Sequence, residues 1–180
     1  MDLAINNTQP EERLNLTGGG KAILRRDTSG EVEEYVNELT AEANEAAASL
    51  FCGSILAGQS SETDEYGDVG VWLGDLEIGP AASKSDSEAI VEALSLTHWT
   101  EEVRILGISA ETRLPVNIPP GSTIKRVGEL LGQLTDTVGL TVKGGSGGPA
   151  NPGTVIYVTV GRLGGAGWAG LVGVGISSDI

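Results

Sequence analysis

Residues 154–160 read TVIYVTV, nearly all β-branched or aromatic, and are bounded by Pro152-Gly153 and Gly161. That composition suits a pleated, buried strand and little else. Residues 138–143 (VGLTVK) form a second candidate strand, and the Gly/Pro-rich loop 144–153 between the two suits a hairpin. Upstream, the extended stretch 114–118 runs into Pro119-Pro120-Gly121, which neither a helix nor a central strand can cross. The whole stretch 113–160 therefore dictates a sheet scaffold around which the rest of the chain must pack. The 27 glycines also favour a loop-rich β protein over a helical bundle.

The flanking segments read as follows. The strongest helical pattern spans 30–52, where Val32, Val36, Leu39, Ala43, Ala46 and Leu50 recur in alternating steps of four and three. Thr28 with Glu31 reads as a capping box at its start, and Gly53 as its end. Residues 69–78 alternate as a strand with a kink at Gly74-Asp75, and 102–110 alternate as another. Residues 163–180 interleave Gly and Ala with Trp168, Leu171, Val172, Val174 and Ile176, as expected of a closing strand that passes close to another backbone. Two segments stay open between helix and strand, 88–96 (with Ser85 and Glu88 as a second capping box) and 124–134.

The expected architecture is mainly β: residues 1–28 as an extended N-terminal arm, and 29–180 as a single β-sandwich-like domain with one N-terminal amphipathic helix at 30–52. Its core is expected from Val71, Leu73, Val103, Ile105, Val116, Ile118, Leu140, Val142, Val155, Tyr157 and Val158.

Charge narrows the function. With 25 Asp+Glu against 11 Lys+Arg the chain carries −14, which repels phosphate backbones and anionic membrane surfaces. Neither nucleic acid nor membrane is an expected partner. One cysteine, Cys52, excludes an intrachain disulfide, and one histidine, His98, excludes a multi-histidine metal site within a protomer. The N-terminus lacks a basic stretch followed by an apolar core, and no apolar run reaches about 18 residues, so a soluble, unprocessed product of a reducing compartment is expected.

Motifs for catalysis do not assemble. The segment NLTGGGKAIL resembles a phosphate loop, but Asn15 and Ala22 stand where a glycine and a Ser or Thr are needed. The acidic run 59–68 (QSSETDEYGD) fails the calcium-loop spacing counted from Glu62, although Glu62, Asp64 and Asp68 allow a looser divalent-ion site. His98 has no G-x-S-x-G serine to serve. Aromatic residues are only 4% of the chain, so Trp72, Trp99 and Trp168 read as core or interface anchors rather than a stacking platform. No catalytic residue, cofactor or metal ligand is expected.

The run LPVNIPPGSTIKRV, an extended apolar strand followed by a Pro-Gly turn and Ser/Thr-Ile-x-x-Val, and the later TVGLTVKGG resemble a signature of virion proteins of tailed bacteriophages. The resemblance covers at most residues 111–160 and departs over 127–134, where Ile124, Val127, Leu130, Leu131 and Leu134 are spaced like one helix face. It implies a β-sandwich scaffold of the head, head–tail connector or tail, with no functional residue to carry over. The expected function is that of a non-enzymatic virion structural protein, made in the host cytoplasm, that works through homo-oligomeric contacts and contacts with other virion proteins. Val32, Val36, Leu39, Trp168 and Leu171 are its expected interface residues. Two other readings stand beside it: a carbohydrate-binding or adhesion module using an exposed Trp and the acidic loop, and a hydrolase whose site is not visible in sequence.

Overall fold

The computed structural model describes residues 2–4, 13–15, 28–58, 66–79, 83–97, 100–108, 113–114, 124–144 and 153–176. Two short strands, β1 (Asp2–Ala4) and β2 (Arg13–Asn15), pair antiparallel as a sheet of their own. Helix α1 (Gly30–Ser49), β3 (Val69–Gly74), α2 (Lys84–Ala93), β4 (Thr100–Leu106) and α3 (Lys125–Leu131) follow in order. The chain then runs through β5 (Leu134–Gly144), β6 (Thr154–Leu163) and β7 (Gly167–Ile176). Five strands form one antiparallel sheet in the order β3-β7-β6-β5-β4.

The strand pairing follows the residues that specified it. β5, β6 and β7 are a meander in which Leu140 lies opposite Val158, and Val158 opposite Val172. The β6–β7 connection is a tight turn closed by Ala166 N–H to the Leu163 carbonyl, with Gly164 at φ 55 in the left-handed region that glycine enters without penalty. A bulge between Thr135 and Val138, with Asp136 at φ 51, interrupts the β5–β6 register. The segment 163–180 is thus an interior strand of its own sheet as far as Ile176, with β3 on one side and β6 on the other.

Alternation along the strands divides the core in two. One face of the sheet, including Val71, Leu73, Leu140, Val142, Val158, Val172 and Val174, packs with Ile90, Val91 and Leu94 of the α2 region. The other, including Ala169, Leu171 and Trp72, packs with Val36, Leu39 and Ala43 of α1 and Val127, Leu130 and Leu131 of α3. The protein is therefore a mixed α/β fold built on one antiparallel sheet, with more helix than the mainly β expectation allowed. Among the described residues the layers that close the sheet are helical. β7 is buried from Gly167 to Gly175, as a central strand covered on both faces must be.

The helices form where local chemistry favours them, with shifted ends. Ser29, rather than Thr28, caps α1 by accepting from Val32 N–H at 3.4 Å, and Glu31 and Glu33 lie in the first turn. The helix ends before Gly53. Phe51 takes the left-handed position at φ 55, Phe51 N–H bonds to the Ala48 carbonyl and Cys52 N–H to the Ala47 carbonyl. The open segment 88–96 lies in and just beyond a helix that begins earlier, at Lys84, and its capping box is Ser83 with Asp86, not Ser85 with Glu88. In 124–134 the helical spacing prevails over residues 125–131, and the chain turns into β5 at Leu134.

Of the expected core, Val71, Leu73, Leu140, Val142, Val155 and Val158 are buried. Val103 and Tyr157 are half-buried, and Ile105 is 45% exposed because β4 is an edge strand. Val116 and Ile118 lie outside the described residues, as do Pro119-Pro120-Gly121 and the body of the 144–153 loop.

Candidate functional site

The densest polar constellation lies where α1 crosses the start of β3. α1 carries Thr40 and Asn44 one turn apart, so both reach the same neighbour. The Thr40 hydroxyl donates to the Val36 carbonyl at 2.8 Å and accepts the Gly70 N–H at 2.8 Å. The Asn44 amide closes a two-way bridge, donating to the Asp68 carbonyl at 2.8 Å and accepting the Asp68 N–H at 3.1 Å. β3 is an edge of the sheet, and these bonds occupy main-chain groups that an edge would otherwise leave open. Glycine at position 70 makes the approach possible, since a Cβ there would stand 2.5 Å from both the Thr40 hydroxyl and the Val36 carbonyl.

Asp68 sits beneath this bridge, fully buried. Its carboxylate accepts from the Ser54 hydroxyl at 2.7 Å, Ile55 N–H at 2.5 Å and Leu56 N–H at 3.4 Å. Ser54 in turn accepts Ala57 N–H at 3.1 Å, so Ser54 and Asp68 together cap the turn that follows α1. Burial raises the carboxyl from its ordinary 3.8 to about 7, against the downward pull of the three donors. Gly173 of β7 forms the floor: a Cβ there would lie 2.3 Å from Ser54 Oγ and 2.4 Å from Asp68 Oδ1. The carboxyl therefore works as an internal clasp joining α1, the 54–57 turn, β3 and β7.

A second junction ties α3 to α1. The buried Tyr35 hydroxyl donates to the Leu130 carbonyl at 2.9 Å, and burial drives its pKa upward. On the surface above it Arg126 pairs with Glu38 and Glu129, which hold the guanidinium more firmly charged. These bridges are exposed and contribute little to stability.

The expected interface residues are not on the surface. Val32, Val36 and Leu39 are buried against the sheet side of α1, and Trp168 and Leu171 are interior residues of β7. This corrects the reading of the helix face and tail as contact surfaces. The apolar stripe of α1 has a partner within its own chain, and the Trp168 indole N–H donates to the Leu76 carbonyl at 3.1 Å, inside the fold. Trp72 is buried as well, while Trp99 and His98 lie outside the described residues. Of the acidic run 59–68, residues 59–65 are also outside them, so the looser ion site is described only at Asp68, which is spent on the clasp. Among the described residues no group of three or more His, Cys, Asp and Glu is placed to hold a metal ion, and no helix is long and apolar enough to cross a membrane.

Sequence reasoning missed the Asp68 clasp because Asp68 ended an acidic run and looked like one more solvated charge. The available signal was its position directly before the buried run Val69–Gly74. No family model matches the chain, and neither a curated protein nor a solved structure does.

Proposed function

We propose that this chain is a non-enzymatic structural protein of a tailed-phage particle, in a capsid, decoration or head–tail position, acting through contacts with its own copies and with neighbouring particle proteins. The observation that carries the reading is a sheet whose two faces are packed against its own helices, so that among the described residues the edge strand β4 is left as a contact surface. Such a body suits a repeated building block, whose specificity comes from shape and edge pairing. The polar cluster around Asp68 supports the same reading, because its donors and acceptors are engaged in holding elements together. The sandwich-like view of the fold belongs with this proposal: the sheet supplies one layer, and α1 with α3 takes the place of a second. Residues 111–160 carry the likeness to phage particle proteins.

The −14 charge fits a protein that meets other proteins rather than nucleic acid or membrane. Gold-labelled antibody raised against the chain should decorate one region of particles released by the cells that encode it, seen by negative-stain electron microscopy. Label confined to cell debris, with bare particles, would overturn the proposal.

A further inference from the structure

β4 is the outermost strand of the sheet, and among the described residues no strand pairs with its outer side. It also leaves an apolar side chain in the open, as does Phe51 beyond the end of α1. Ile105 is 45% exposed, and Val103 beside it is half-buried. An edge of this kind is a template for another strand unless charge or cover prevents it. The residues that would prevent it are Glu102 and Arg104, both exposed and 3.2 Å apart on their own strand.

Those two charges are placed so that β4 complements itself. When two copies of β4 run antiparallel with Val103 opposite Val103, residue 102 of each copy faces residue 104 of the other. Glu102 then meets the second copy's Arg104 twice, once on each side of the dyad, as opposite-charge cross-strand pairs. Directly opposed residues share a face of the sheet, so both pairs fall on the face where Glu102 already meets Lys143 at 3.7 Å. On the other face Val103 and Ile105 follow Val142 and Leu140 of β5. There each Ile105 lies diagonal to the second copy's Val103, so the four apolar side chains share that face, with position 101 of the other copy, a glutamate, directly opposite each Ile105. A one-residue slip sets Glu102 against Val103 in one direction, and Glu102 against Ile105 with Arg104 against Val103 in the other. A two-residue slip sets Glu102 against Glu102 or Arg104 against Arg104. The register centred on Val103 is the one that sets Glu102 against Arg104 and Val103 against Val103 together.

We infer that β4 pairs with β4 of a second copy about a two-fold axis through Val103, joining two five-stranded sheets into one continuous antiparallel sheet. The inference deepens the proposed function, on which it rests for its purpose but not for its geometry. A dyad perpendicular to the sheet keeps α1 and α3 of both copies on one side and both α2 helices on the other. The chain carries −14, yet this seam brings no like charges face to face.

The test is a charge swap read by sedimentation velocity over a range of protein concentrations near physiological salt. The wild type should show a concentration-dependent monomer–dimer equilibrium. Arg104→Glu and Glu102→Arg should each weaken it about tenfold or more, by setting like charges opposite one another twice per dimer. The double variant Glu102→Arg with Arg104→Glu should restore it. Circular dichroism checks that each variant keeps its fold. Val103→Cys, in a Cys52→Ala background, reads the register without relying on affinity. Residues opposite one another across an antiparallel pair lie about 4.5–5.5 Å apart at Cα, within disulfide reach, so oxidation should give a covalent dimer. A wild type that stays monomeric at every concentration, single reversals without effect, or a double swap that fails to recover association would each overturn the inference. A β4 dimer from a chain that does not label particles would refute the proposed function and leave the edge pairing standing.

Discussion

Replacing Asp68 with Asn removes a titrating group from the clasp while keeping its shape, and the pH dependence of stability reports what the group was doing. The unfolded chain binds the Asp68 proton with the ordinary value of 3.8, the folded chain with about 7. Between those values the folded state holds more protons than the unfolded one, so this group's contribution falls as pH rises through the window and levels off above it. Integrated from roughly pH 5 to roughly pH 8, the loss is about 2–3 kcal/mol. The other acids titrate alike in both proteins and cancel in the difference. Urea unfolding followed by circular dichroism at a series of pH values gives that difference directly. The stability of the wild type minus that of Asp68→Asn should fall by about 2–3 kcal/mol over this range. A flat difference, or one that rises with pH, would refute the reasoning. A rise would mean that Ser54, Ile55 and Leu56 outweigh burial and hold the carboxyl below its ordinary value.

The same geometry gives two further outcomes. Gly173→Ala places a methyl group against Ser54 Oγ and Asp68 Oδ1, and should cost about 2–4 kcal/mol in the same unfolding assay; an unchanged midpoint would mean that the turn 54–57 gives way freely. Thr159→Val should raise stability by about 1 kcal/mol, since the buried Thr159 hydroxyl finds no hydrogen-bond partner among the described residues and valine has nearly its shape; a loss of stability would show that the hydroxyl is satisfied after all.

The parts of this fold that the sequence made legible are those where one local signal dominates. β6 was readable because TVIYVTV has no other good solution, and α1 because its apolar residues keep one face over five turns. Helix ends were less readable. Phe51 in the left-handed position is a choice made by the surroundings, and nothing in the local sequence favours it over Gly53. The layers were less readable for a different reason. Strand periodicity says that a face is buried but not by what, and α2 and α3 are short enough to read as strand or helix. The candidate interface failed in the same way, since an amphipathic helix face looks alike whether its partner is its own sheet or another chain. Ile105 was the reverse case: its alternation with Arg104 read as core, and only the strand order placed it at the edge.

The central claim is that this chain is a component of a particle. Tailed particles banded in a density gradient from the cells that encode it, stripped of loosely bound protein by a salt wash and digested for quantitative mass spectrometry, test it most directly. The account predicts peptides of this chain in the particle band at many copies per particle, in constant ratio to the shell protein across the band. Peptides found only in the soluble fraction, with none following the particles, would contradict it.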